Sequence, residues 1–478
     1  MSLLSLQFSG RQKLSPSMDH DVEKPGTDLE HVERHVTPTT SDEGVFDEPS
    51  EEEKKRITWR IDRRLVVTVG LMYCVSLMDR TNLSAANIAG MSTELALVDN
   101  RYSIVTLLFF VTYTVCQPPA TVIVRAVGPR VHLAAVTLAW GAVMIGMGFA
   151  PSYQVLAALR VVLGVFEAGF FPACVYLLST WYTRYEVGKR YSCFYVLGCV
   201  ASAFSGILAF GLMQLGGRAG LSGWRWIFIV EGLITCLLGI AGYWCLVDFP
   251  DSDRPSWRFL SDRERAWVVR KVNADRGDSH TPKFELRKFV SAGLDLKIWA
   301  YALIFFCSTT ITYALAYFLP IILVSSLGFS VGAAQCLVAP PYAFAGFYMF
   351  GVSWLGDRYR LRGPVIIANM LMCLIGLPIL GWHPIPAVRY LGVFFVTAGA
   401  NSNIPAAMAY QANNIRGQWK RAFCSATLVG FGGIGGIAGS LVFRLVVFVS
   451  PPPPIFFFFS SRGLSTLFYL GLVLTRPC

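Results

Sequence analysis

The sequence predicts an all-α membrane protein that crosses the bilayer many times. Three observations carry that prediction. Of the 478 residues, 54% are hydrophobic and the mean hydropathy is +0.51, which leaves too little polar surface to cover a soluble core of this size. Apolar runs of about 20 residues, the length of helix that crosses the hydrocarbon layer, recur from Leu65 onwards. Basic residues gather in alternate connections between those runs, as they do in cytoplasmic loops.

The elements follow in order. Residues 1–64 are largely polar and carry an acidic run from Asp19 to Glu53 without helical periodicity. They read as a disordered cytoplasmic tail with no cleavable signal segment. Lys54, Lys55, Arg56, Arg60, Arg63 and Arg64 then hold the chain inside, beside anionic lipid. Spans are predicted at 65–85, 102–125, 131–150, 153–179, 190–215 and 225–247, forming one six-helix bundle. A polar inner loop, 248–297, leads to spans at 298–325, 332–355, 364–382, 388–410 and 422–448, which form the second bundle. These eleven spans are clear. A twelfth at 455–474 is doubtful, because Pro451–Pro454 cannot continue a helix and Arg462 and Gly463 interrupt the window. Residues 449–478 therefore read as an aberrant, low-complexity end.

With the N-terminus inside, the inward connections hold Arg125 and Arg130, then Arg184, Lys189 and Arg190, then the basic stretch 254–297. Arg358, Arg360 and Arg362 follow, and after them Arg416, Lys420 and Arg421. The outward connections hold only Arg101, Arg218, Arg225 and Arg389. This asymmetry fixes the orientation. It also explains the net charge of +11 without a nucleic-acid partner. The twelve cysteines sit mostly in apolar spans, as small hydrophobic residues rather than a disulfide framework.

The chain repeats itself weakly. Val124 to Arg130 and Gly356 to Pro364 are both tight basic turns containing Gly-Pro, with Gly128 and Gly363 offset by 235 residues. The same offset carries the fourth and fifth spans onto the tenth and eleventh. Parallel six-helix halves of this kind are a transporter pattern, with the substrate site near mid-membrane between them.

Charged residues inside spans are costly and mark function or a partner. Asp79, Arg80 and Asn82 lie at the end of the first span; Arg160 and Glu167 share one face of the fourth. Arg160 and Glu167 stand about 10.5 Å apart along the axis, so each needs a partner on another helix or water. A buried acid whose partner changes between two conformations can carry a proton, and an arginine fork fits a carboxylate. The alternative is a set of structural ion pairs. Glu231 in the sixth span reads equally as the structural partner of a basic residue. Tyr313 and Tyr317 in the seventh span, and Asn401 and Asn403 in the tenth, offer aromatic and carboxamide contacts to a ring-containing substrate, or pack.

At these motifs the sequence resembles the major facilitator superfamily, and within it the anion:cation symporter family of fungal allantoate permease-like and nicotinic acid permease-like transporters. The carrying residues are Leu77 to Asn82, Arg160 to Pro172, Trp181 to Glu186, Gly223 to Gly232, Asp248 to Asp251, Pro340 to Tyr342, Gly356 to Arg358, and Asn413 with Asn414. The resemblance covers residues 57–444. It implies proton-driven uptake of a small carboxylate across the plasma membrane by a monomer, without cofactor or metal. Asp79 and Glu167 would carry the proton, with Arg160 coupling to the substrate site. Arg80, Asn82, Tyr313, Tyr317, Asn401 and Asn403 would meet the substrate. Gly128 and Arg130, with Gly356, Asp357 and Arg358, would form the gating loops. The Gly-Pro run that marks antiporters of that superfamily is missing from the fifth span, which disfavours a drug or toxin exporter. A non-transporting nutrient sensor would carry a longer folded tail. No histidine lies mid-span, and neither a hydrolase elbow nor a phosphate-binding loop occurs, so an enzyme is not expected.

Overall fold

A computed structural model describes residues 48–98, 100–250, 252, 259–276, 291–359, 362–415 and 418–448. The predicted twelfth span and most of the N-terminal tail lie outside the described residues. Regular structure among the described residues is entirely helical.

The first helix, α1 (Glu51–Ile61), falls inside the segment expected to be disordered. Its start is fixed by a capping box, in which the Ser50 hydroxyl accepts from the Glu53 N–H and the Glu53 carboxylate accepts from the Ser50 N–H. Ile57, Ile61 and Leu65, four residues apart, bury one face. Acidic composition hid this short helix because its apolar residues are few but evenly spaced. A π-helical stretch, Asp62–Val66, joins it to α2 (Val67–Ala86).

The remaining helices of the first half are α3 (Arg101–Val127), α4 (Pro129–Gly148), α5 (Tyr153–Glu167), α6 (Phe170–Trp181), α7 (Arg184–Met213) and α8 (Gly223–Cys245). In the connecting segment, α9 (Asp262–Arg276) is a second surface helix where only a loop is expected from the sequence. The second half contains α10 (Leu296–Ser325), α11 (Val331–Cys336), α12 (Ala339–Tyr359), α13 (Arg362–Trp382), α14 (Pro386–Asn414) and α15 (Gln418–Phe448).

Among the described residues, nine helical segments are long and apolar enough to cross a membrane; α5 and α6 together make one of them. Helices α2 and α14 are long but too polar to qualify. They carry Asp79, Arg80, Thr81, Asn82 and Ser84, and Asn401, Ser402, Asn403 and Gln411. The two helices that fall short of pure apolarity are therefore the ones richest in candidate site residues.

Within the first half, α4 packs on α8, α2 on α7 and α3 on α5. Within the second, α10 packs on α15 and α13 on α14. The halves meet along α7–α12, α3–α15 and α2–α10. The first two of these contacts are the same contact seen twice, since the repeat offset carries α3 to α12 and α7 to α15.

Glycine sets the closest approaches. A Cβ on Gly232 would lie 2.8 Å from the Ile145 backbone nitrogen, and one on Gly141 would lie 2.9 Å from that of Cys236. Thus α4 and α8 touch backbone to backbone. Gly128, at φ 95°, makes the turn from α3 into α4 that a side chain would strain.

Candidate functional site

The centre of the site is an ion pair between α2 and α5. Arg80 donates from Nε to Glu167 Oε1 at 2.7 Å, and its Nη2 lies 2.6 Å from the same oxygen. Ser76, one turn before Arg80 on the same face, donates to that oxygen at 2.5 Å. Both charged side chains are almost wholly buried. The other arm of Arg80 crosses to the second half, where Nη1 donates to the Tyr313 hydroxyl of α10 at 2.7 Å. The guanidinium also lies over the Tyr113 ring, 4.9 Å from its centroid. Arg80 thus joins the two halves and an aromatic wall.

This cluster borders a cavity of about 40 Å³ between the halves. Tyr73, Arg80, Tyr113 and Phe171 line it from the first half; Phe305, Thr309, Tyr313 and Gly433 line it from the second. It has room for only a few water molecules, whereas ligand pockets span roughly 300–1,000 Å³. This conformation is therefore closed around its centre.

Asp79 points the other way. Its Oδ2 accepts from Trp140 Nε1 on α4 at 3.0 Å and from the Thr235 hydroxyl on α8 at 3.3 Å. Adjacent residues on α2 thus serve different places: Arg80 faces the interface between halves and Asp79 the interior of the first half. Arg160 is fully buried, and none of its three guanidinium nitrogens is hydrogen-bonded within the protein. Tyr317, Tyr102, Glu167 and Asp79 are its electrostatic neighbours. The sequence asks for a partner on another helix for both α5 charges; the structure gives one to Glu167 and none to Arg160.

The other candidates are dispersed. Asn82 is sealed beside Glu231 without reaching hydrogen-bond geometry, and does not line the cavity. Tyr317 is buried with its ring 5.7 Å from Phe110, and its carbonyl accepts from the Tyr102 hydroxyl. Asn401 folds back to donate to the Thr397 carbonyl of its own helix. Asn403 accepts from Asn369, whose own carbonyl oxygen accepts from Tyr348. Neither asparagine lines the cavity.

The loop residues are likewise unequal. The Arg130 N–H donates to the Asp248 carboxylate at the end of α8, and its side chain to the Tyr243 carbonyl. Arg358 stacks on Trp354 of its own helix. Gly356 lies buried in α12, and the side chain of Asp357 falls outside the described residues.

Sequence reading missed Ser76, Trp140, Thr235 and Tyr113. Ser76 had a signal, its i,i+4 spacing to Arg80. The others had none, because their roles depend on which helix packs opposite.

Nearly four-fifths of the chain, residues 69–440, matches the Major Facilitator Superfamily. The chain belongs to that superfamily. Similar proteins include the MFS-type transporter cnsO of Penicillium expansum, 32% identical over 82% of this chain and 77% of that protein. The major facilitator-type transporter hxnP of Emericella nidulans is 32% identical over 87% of this chain and 85% of its own length. The high-affinity nicotinic acid transporter of Saccharomyces cerevisiae is 29% identical over 86% and 76%. In fold, the chain is similar to an inward-facing bacterial homologue of the human lysosomal transporter Spinster, with a TM-score of 0.62, 16% identity, and 89% and 88% covered. It is also similar to the human organic anion transporter TETRAN, with a TM-score of 0.60, 15% identity, and 86% and 99% covered. The relatives are named as transporters, and this superfamily member is a multi-pass membrane transporter of the same kind.

Proposed function

We propose that this protein imports a small organic anion, a nicotinate- or allantoate-like carboxylate, together with a proton across the plasma membrane. The single observation that carries this reading is the arginine at the interface. Arg80 is buried at the central cavity, holds Glu167 with one arm and reaches the second half through Tyr313 with the other.

A substrate carboxylate and Glu167 compete for one guanidinium. Protonating Glu167 neutralises the competitor and frees the fork, so anion binding and proton binding favour each other. Asp79 is the second proton carrier, and Arg160, unpaired between Asp79 and Glu167, couples the two. Tyr313 contacts the substrate directly, and Tyr317 shapes the wall behind it. Asn82, Asn401 and Asn403 reach substrate only after the halves rearrange.

Topology belongs to the same reading. Eleven helical spans, including polar α2 and α14, cross the bilayer with the N-terminus inside, in halves spanning 65–247 and 298–448. Ser84 donates to the Ala316 carbonyl and Gln335 to that of Ala85, at the end of α2 remote from α1. Tyr102 ties to Tyr317 on the same side. These bonds support a state closed to the outside. Gly128 with Arg130 at the turn into α4, and Gly356, Asp357 and Arg358, which fall in the last turn of α12 rather than in the expected loop, flank the inner face and act as its gate.

Labelled nicotinate uptake into cells tests the reading, with Arg80→Ala as control. Uptake should rise as the outside is acidified and collapse with an uncoupler. Uptake indifferent to pH would remove the symport claim.

A further inference from the structure

Glu231 on α8 is a buried carboxylate with neither oxygen hydrogen-bonded within the protein. Its sequence context suggests a basic partner. Among the described residues no arginine or lysine pairs with it: Arg80 is held by Glu167, and Arg160 faces Tyr317, Tyr102, Glu167 and Asp79. The charged neighbour of Glu231 is another acid, Asp79.

Geometry places the two acids on neighbouring positions. Thr235 follows Glu231 by one turn on the same face of α8, and its hydroxyl donates to Asp79 Oδ2 at 3.3 Å. Trp140 anchors the same Asp79 oxygen from α4, so Oδ1 stays unpartnered. Backbone contact between α4 and α8 at Gly141 and Gly232 closes the space behind them. The facing groups are few. From α2 come Asp79 and Asn82; from α4, Trp140 with no charge; Cys236 lies further along α8 near Asp79. Arg160 and Glu167 on α5 act on Asp79 from its other side.

The cluster holds three acids and two arginines. Arg80 and Glu167 neutralise each other, and Arg160 balances one further carboxylate. Two carboxylates that share a dry site do not both ionise, because each is desolvated and repels the other. We propose that Glu231 is a proton-holding residue, sharing a single proton with Asp79 beside Arg160. With the O–H bond intact the cluster is neutral. When that bond breaks, the proton passes to water and leaves one net negative charge. The proposal deepens the symport reading and rests on it for its functional meaning, although the shared proton itself can be seen without any substrate.

The test uses the purified full-length protein in lipid nanodiscs. Infrared difference spectra between neutral and alkaline pH should show the C=O stretch of a protonated buried carboxyl. Glu231→Gln and Asp79→Asn should each remove or shift it. In proteoliposomes, Glu231→Gln should cut proton-driven nicotinate uptake about tenfold or more while nicotinate exchange at equal pH stays within about twofold. Should the glutamine variant not fold, Glu231→Asp keeps an acid, and uptake should persist with a displaced pH midpoint. A wild type without the band, a band untouched by Glu231→Gln, a parallel loss of uptake and exchange in folded Glu231→Gln, or an unmoved midpoint in Glu231→Asp would each overturn the assignment. A band that behaves as described alongside pH-independent uptake would sink the symport reading and leave the shared proton standing.

Discussion

The two halves share one helix plan and differ in what they bury. Among the described residues, every buried Asp, Glu and Arg within the halves belongs to the first, namely Asp79, Arg80, Arg160, Glu167 and Glu231, and buried Asp248 follows directly after it. The second half buries only neutral polar groups, including Ser308, Thr309, Gln335, Asn369 and Asn403. It contributes Tyr313, a carboxamide ladder, and the glycines of α15 that admit α3. A Cβ on Gly433 would meet the Thr114 side chain, and one on Gly436 would meet the Phe110 ring. A repeated fold thus buries different chemistry in its two halves: one holds the buried charges, and the other meets them with a neutral polar surface.

The largest expected effect breaks the charged half. Arg80→Ala leaves Glu167 buried without its counter-ion, at a cost of about 3–5 kcal/mol. Anion uptake should fall below detection and the amount of folded protein should drop. The double variant Arg80→Ala, Glu167→Ala should recover folded protein by size-exclusion profile but not uptake. Recovery of both would show that the pair is structural.

The contact across the interface comes next. Tyr313→Phe removes one hydrogen bond to a charged group, worth about 1.5 kcal/mol. The KM for the carried anion should rise roughly tenfold while the maximal rate changes little. A fall in maximal rate at constant KM would place Tyr313 in the conformational step instead.

The neutral half should respond in stability. Asn369→Ala deletes its bond to Asn403 and the one it accepts from Tyr348, each worth about 1 kcal/mol, and should lower the melting temperature with KM unchanged within about twofold. A KM raised tenfold would break the contrast between the halves.

The smallest effect lies outside the spans. Glu94 accepts from Ser222, Trp224 and Arg225. Burial opposes its charge, but those bonds outweigh it and hold the carboxyl below its usual range. A depressed value means the clamp stabilises fully above the ordinary carboxylate range and is lost as pH falls through the depressed value. Glu94→Gln should therefore melt slightly below the wild type at neutral pH, with the gap closing below about pH 4. A gap that widens with acid would contradict the sign.

At the start of α7, burial likewise opposes the charge of Glu186, but the hydrogen bond and charge of Lys271 together with the Thr183 bonds outweigh it and hold that carboxyl low. Together with Arg60 on Glu264, the Lys271 bond docks α9 onto the first half. The basic stretch after Glu53 thus has partners within the protein, since Arg60 and Arg64 clasp the ends of other elements. Sequence showed the charges, but a clasp depends on residues some 200 positions away.

By itself the sequence determined that this chain is helical and embedded in a membrane, because apolar length and loop charge are local properties. It also marked Asp79, Arg80, Arg160 and Glu167, because a charge inside an apolar run is costly wherever the run packs. Tertiary structure decided the partners: Arg80 with Glu167 and Tyr313, Asp79 with Trp140 and Thr235, and Glu231 facing an acid rather than a base. Those pairings follow from which helix faces lie opposite one another, and glycine-fitted contacts such as Gly141 against α8 set that at close range. No periodicity within one helix encodes it.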